Sequence, residues 1–103
     1  MTYKVKLGDN AKVDLNNISD YIEYNLEEPM AATNLVSKIL KQSFSLSDNP
    51  YLFKLYDSEP WHSMGWRYFP VNNYLVFYIV DDATQSVEIL RIIYGSRNIE
   101  QLL

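Results

Sequence analysis

The sequence predicts an α+β domain in which a helical hairpin covers one face of a sheet, with elements in the order β-α-α-β-β-β. Three observations carry that expectation. A short alternating run opens the chain, two helical stripes follow it, and three strand-like runs joined by short turns fill the second half. With 103 residues the chain holds one domain, residues 1–103, and a single core.

In the opening run, Tyr3, Val5 and Leu7 alternate with Lys4 and Lys6, the period of a half-buried strand. Gly8-Asp9-Asn10 breaks it, and Asp9 or Asn10 is placed to cap the next element. Ala11, Leu15, Ile18, Ile22 and Leu26 recur three or four residues apart, one stripe of a helix. Lys12, Asp14, Asn16, Asn17, Asp20 and Glu23 fall mostly off that stripe and are expected to face water. A second helix starts near Pro29, carries Ala32, Leu35, Val36, Ile39, Leu40 and Leu46, and ends before Asn49-Pro50. Because Asn25 to Glu28 is a short connection, the two helices form an antiparallel hairpin.

Residues 50–65 show no clear period and read as a long irregular connection. Trp66 to Val71, Tyr74 to Asp81 and Val87 to Tyr94 read as strands. Asn72-Asn73 and Asp82-Ala83-Thr84-Gln85 supply the turns, Asn tolerating the left-handed backbone of a tight hairpin. Three strands joined this way make an antiparallel meander. Whether the first strand lies at its edge or between its members stays open. After Gly95, Arg97 to Leu103 can form a short terminal helix.

Composition removes several function classes. The absence of cysteine excludes disulfides, thiolate metal sites and cysteine nucleophiles, and suits a reducing cytosol. The longest apolar run, Tyr74 to Val80, is far short of the roughly 20 residues of a membrane helix. The N-terminus lacks the apolar segment of a signal peptide, so the expected location is cytoplasmic, with no membrane partner. Thirteen acids against nine bases leave no broadly basic face, so no direct sequence-specific DNA binding by this chain alone is expected. Six acids and three lysines fall in residues 1–28, which leaves the remainder near neutral and able to carry a local basic site. Ten of the fifteen aromatic residues lie between Tyr51 and Tyr78, as core, partner surface or stacking platform.

Candidate chemistry is sparse. His62, the single histidine, sits beside Trp61 in the irregular segment, as a general acid–base group or a plain surface residue. No Gly-rich phosphate loop or metal-spaced ligand set is present, so no cofactor and no metal are expected. Arg67 and Arg91 lie within strand runs and Arg97 follows the Gly95 break. Arg67 and Arg97 could approach one side of the sheet and take a phosphate or carboxylate bidentately. Alternatively each arginine pairs with an acid such as Glu88 or Glu100. Tyr94 ends a strand, either exposed or buried against the terminal helix.

With the order of elements, three stretches resemble the RelE/ParE toxin superfamily. These are Ala11-x-x-Asp14-Leu15-x-x-Ile18, Asn73-Tyr74-Leu75-Val76-Phe77-Tyr78-x-Val80-Asp81, and Val87 to Asn98. The resemblance implies the toxin of a type II toxin–antitoxin pair, acting in plasmid stabilisation or growth arrest and wrapped by an antitoxin through a helix and an extended segment. RelE-like members cleave mRNA on the ribosome with an arginine directly after the sheet tyrosine, where this chain has Leu75, and many carry histidine where it has Tyr94. ParE-like members, which bind DNA gyrase without a catalytic set, resemble it better. The resemblance therefore implies a gyrase inhibitor whose contacts are Arg67, Arg91, Tyr94 and Arg97. The alternative is a RelE-like mRNA interferase using Arg67, Arg97 and Tyr94, and a third reading is an inactive module that only binds antitoxin. An apolar groove between the helix hairpin and the sheet edge is the expected antitoxin seat. Leu26, Leu35, Tyr51, Phe53 and Trp61 are its candidate contacts.

Overall fold

Gly8 decides how the first strand joins the first helix. In a computed structural model of the chain, which describes residues 2–95 and 98–103, strand β1 (Lys4–Leu7) ends one residue before helix α1 (Asp9–Asp20). The Gly8 N–H donates to the Ile89 carbonyl at 2.8 Å, and a Cβ there would stand 2.6 Å from Glu88 Oε2 and 3.0 Å from the Ile89 oxygen. Only glycine lets the backbone pass so close. Gly8 is also the N-cap, without a side-chain cap bond, so neither Asp9 nor Asn10 has the predicted capping role. Asp9 instead sits in the first turn, where its charge complements the helix dipole.

The apolar stripe of α1 ends sooner than its spacing implies. Tyr21–Asn25 forms a π-helical turn, and the Leu26 N–H reaches back five residues to the Tyr21 carbonyl at 3.1 Å. The wider turn rotates Leu26 off the stripe and leaves it 51% exposed, while Ile22 stays buried. Glu27, with φ 56°, reverses the chain into α2 (Pro29–Phe44), whose first residue is the predicted proline. Ala32, Leu35 and Ile39 are buried along α2, and a 3₁₀ turn, Ser45–Ser47, buries Leu46.

Strands β2 (Arg67–Val71), β3 (Tyr74–Asp81) and β4 (Ser86–Tyr94) form the predicted meander. Asn72, at φ 53°, supplies the left-handed residue of the two-residue β2–β3 turn. β1 occupies the edge beside β4 and runs parallel to it, giving the order β1-β4-β3-β2 and a mixed four-stranded sheet. In β4 a bulge at Leu90 breaks the alternation, since Phe77 opposes Arg91 while Tyr78 opposes Ile89.

The two sheet faces are covered differently. Val76, Tyr78, Val87, Ile89 and Ile92 pack with Ala11, Leu15, Ala32, Leu35 and Ile39 into the main core. On the other face Phe77 is fully buried against rings of the 51–66 segment and β2: Tyr56 at 5.4 Å, Tyr68 at 5.9 Å and Trp66 at 6.0 Å. The irregular connection is thus the second wall of the sheet, tied to it by the bridge between Leu55 and Arg67. The predicted terminal helix, α3, is shorter than expected, Ile99–Leu102.

Candidate functional site

A groove of about 930 Å³ opens between the helical hairpin and the end of the sheet that carries the β2–β3 turn. Ile18, Tyr21, Ile22, Leu26, Ala31 and Leu35 line the helical side; Asn72, Asn73, Tyr74, Ile92, Ile93 and Tyr94 line the sheet side. The turn is pinned by Lys38, whose Nζ donates to Asn72 Oδ1 at 2.9 Å, and by the Gly95 N–H on the Asn73 carbonyl at 2.7 Å. Tyr94 stands edge-on to Tyr74 with centroids 5.4 Å apart and keeps 39% of its surface exposed. Of the two placements open for Tyr94, the exposed one is found.

Arg91, Asp14 and Leu102 close one end. Arg91 Nε donates to Asp14 Oδ2 at 2.8 Å and Nη2 to Oδ1 at 3.1 Å, a bidentate pair, while Nη1 donates to the Leu102 carbonyl. Asp14 Oδ2 also accepts the Ile92 N–H at 2.9 Å. The Asp14 hydrogen bonds push the Arg91 pKa up against the opposing effect of burial, so the guanidinium stays charged. Asp14 does not face water as its place off the stripe predicted, for its side chain is only 14% exposed. The partner of Arg91 is therefore neither Glu88, which stands 3.9 Å from Lys6, nor Glu100, which accepts from Tyr56 and Ser58.

Arg67 lies elsewhere. It opposes Tyr78 whereas Arg91 opposes Phe77, neighbours on β3 whose side chains leave opposite faces. Its Nη1 donates to the Phe53 carbonyl at 2.7 Å, and its guanidinium lies 4.9 Å from the Tyr51 ring centroid. Arg97 lies outside the described residues, so its predicted approach to Arg67 has no geometry here.

The five predicted antitoxin contacts fall in three places. Leu26 and Leu35 line the groove, Leu26 half-exposed and Leu35 buried at its base. Tyr51 and Phe53 sit by Arg67: Phe53 stacks on Phe69 at 4.8 Å, and the Tyr51 O–H donates to Asp82 Oδ1 at 2.6 Å. Asp82 accepts the Tyr3 O–H as well, at 2.8 Å. These bonds hold the Asp82 carboxyl below its usual range, Tyr51 counting for more than Tyr3, and push the Tyr51 phenol up to about 12. Trp61 belongs to the aromatic wall, 6.0 Å from Tyr56. His62, in the same segment, is exposed and donates Nδ1–H to the Tyr56 carbonyl at 2.9 Å, away from the groove. Among the described residues no three His, Cys, Asp or Glu side chains gather as a metal site, and no described helix is long and apolar enough to cross a membrane.

The residue that sequence reasoning missed is Asp14. Its signal was its place in Ala11-x-x-Asp14-Leu15, one position from the buried stripe, where a short carboxylate can reach the edge of β4.

A mixed four-stranded sheet in the order β1-β4-β3-β2 with one face under an α-hairpin is the RelE/ParE-like α+β architecture. Residues 5–99 match the family described as the ParE toxin of the type II toxin–antitoxin system ParDE, and the chain belongs to that family. Among solved structures it is similar to the chromosomal ParDE system of P. aeruginosa, with 24% identity, 90% of this chain and 96% of that chain covered, and a TM-score of 0.72. The RelBE2 toxin–antitoxin complex of Mycobacterium tuberculosis follows with 22% identity, 91% and 99% covered, and a TM-score of 0.66. For the archaeal RelE–RelB complex of Pyrococcus horikoshii the values are 18%, 94% and 99%, and 0.60. No curated protein matches the sequence closely enough to name as a relative.

Proposed function

We propose that this toxin arrests growth by binding a protein target, DNA gyrase, and that a cognate antitoxin silences it by filling the same groove. The observation that carries the reading is a convergence. Leu26 and Leu35, candidates for the antitoxin, and Arg91 and Tyr94, candidates for the target, line one groove. Two partners that share one seat exclude each other, which is the behaviour a silencing partner needs. The similar M. tuberculosis structure is a toxin–antitoxin complex and the P. horikoshii one a RelE–RelB complex, which supports an antitoxin as the second partner.

The chemistry of the groove favours recognition over bond breaking. Cleavage of a phosphodiester needs a cation free to meet the charge that develops on the phosphorus oxygens. The charge of Arg91 is already met by the Asp14 carboxylate, and Leu75 stands where a RelE-like cleavage arginine falls. Aromatic and aliphatic side chains on both walls suit a helix or an extended peptide instead. Arg67 is outside the groove and drops out of this site; Arg97, between Tyr94 and Leu102 in sequence, stays a candidate contact. With gyrase as target, action is cytoplasmic.

Purified full-length protein is expected to block supercoiling of relaxed DNA by gyrase and to leave mRNA intact on translating ribosomes. Adding the product of the neighbouring small reading frame should restore supercoiling. Cleaved mRNA with unaffected gyrase overturns the target in favour of the interferase.

A further inference from the structure

A guanidinium is planar, so fixing two of its N–H groups on one edge fixes the direction of the rest. Asp14 does this to Arg91 through Nε and Nη2. The carboxylate is itself anchored, because Oδ2 also accepts the Ile92 N–H, two residues past the Leu90 bulge. Asp14 cannot follow Arg91 if the arginine swings without giving up a backbone bond. The free direction of the fork is therefore set by β4 itself, and Nη1 points at a main-chain carbonyl, that of Leu102. This carbonyl closes the last turn of α3, where helix carbonyls lack intrahelical donors. Leu102 lines the groove and is 40% exposed.

We infer that Asp14 is a positioning residue of the groove: through Arg91 it aims one fixed donor at a peptide carbonyl, and the bound protein is read there by its main chain. The inference rests on the protein-binding reading above and adds the partner's chemistry, a segment that brings an unpaired main-chain carbonyl, as the end of a helix does, beside an apolar side chain. Leu102 is the resident example of such a ligand. A phosphate suits the corner less well, since it would meet the Asp14 carboxylate that already holds the guanidinium.

The test uses the full chain, variants at Asp14 and Arg91, and their combination. By NMR, the Arg91 Nε–H should be slowly exchanging and shifted in the wild type, and ordinary in Asp14→Asn. Gyrase inhibition by Asp14→Asn should weaken by about tenfold or more, in line with a lost charge-assisted hydrogen bond. Arg91→Lys should not restore potency, because an ammonium has no fork. Asp14→Asn combined with Arg91→Ala should be no weaker than Arg91→Ala alone, the signature of residues acting as one unit. If Asp14→Asn does not fold, Asp14→Glu, which displaces the carboxylate, should show the same pattern.

Full potency in a folded Asp14 variant whose Arg91 signal is lost overturns the positioning role, as does an additive double variant. An Arg91 signal that shifts and saturates with low-millimolar inorganic phosphate overturns the peptide-carbonyl assignment. A wild type that leaves gyrase untouched overturns the target instead; growth arrest on induction then takes the place of supercoiling and must show the same pattern among variants. A wild type inert in both assays overturns both.

Discussion

The two faces of the sheet are built from different materials. One is mainly aliphatic and covered by regular helices, with Ala11, Leu15, Ile39 and Leu46 against Val87, Ile89 and Ile92, and Phe69 and Tyr78 as its buried rings. The other is aromatic, with Phe77 enclosed by Tyr68 of β2 and by Tyr56 and Trp66 from a segment with almost no regular structure. Large flat rings cover area without needing a periodic backbone, which lets an irregular connection seal a sheet. A helix must bring a side chain round every three or four residues to do the same. The groove opens on the helical side, where the π turn and Glu27 carry the hairpin away from the sheet.

If both faces are true cores, truncating either one should cost a similar amount. Phe77→Ala is expected to destabilise by about 3–5 kcal/mol and Ile39→Ala by about 2–5 kcal/mol, measured by denaturant unfolding. A loss below about 1 kcal/mol at Phe77 would reduce the aromatic face to a loose flap. Tyr78 links the two regions: it is buried in the helical core, yet its O–H donates to the Pro50 carbonyl at 2.9 Å where the irregular segment begins. Tyr78→Phe leaves that carbonyl unmatched and should cost about 1–2 kcal/mol.

A smaller effect sits at the Asp82 clamp, where Tyr3 and Tyr51 meet one carboxylate. The Asp82 pKa is lowered in the folded chain, so its contribution is present above the ordinary carboxylate range and lost as pH falls through the lowered value. The Tyr51 phenol is raised to about 12, so its contribution is present below pH 10 and lost as pH climbs through that higher value. Asp82→Asn should thus narrow the melting-temperature difference between neutral and acid pH, and in ultraviolet titration it should bring the Tyr51 phenol back from among the late-ionising ones. The smallest effect is expected at Ser43, 1% exposed in α2 with a hydroxyl that finds no hydrogen-bond partner among the described residues. Ser43→Ala should leave the melting temperature unchanged or slightly higher, since it removes an unmatched buried polar atom.

The helical face was legible because helices and strands write their burial as a period. Ala11, Leu15 and Ile22 announced α1, Pro29 the start of α2, and Asn72-Asn73 the hairpin. The aromatic face carried no period, and the density of rings left core, platform and partner surface all open until Phe77 was found sealed. Leu26 was placed on the wrong rotation because a π turn leaves no mark in residue type. Of the candidate contacts, Leu26, Leu35, Arg91 and Tyr94 come together at the groove, Tyr51, Phe53, Trp61 and Arg67 do not, and Arg97 lies outside the described residues. Tyr51, Phe53 and Trp61 were grouped by proximity in sequence, and they belong to a segment whose path no period announces, with Tyr51 and Phe53 held beside Arg67 and Trp61 beside Tyr56.

The extra residue at Leu90 makes β4 two strands laid end to end, each keeping its own count of odd and even positions. Val87 and Ile89 obey the first count, Ile92 the second. A straight strand of the same length would have to choose between them: either Ile92 leaves the interior, or Val87 and Ile89 do. The single extra residue is thus what lets an odd spacing, Ile89 to Ile92, put both side chains into one core, and removing Leu90 would merge the two counts into one.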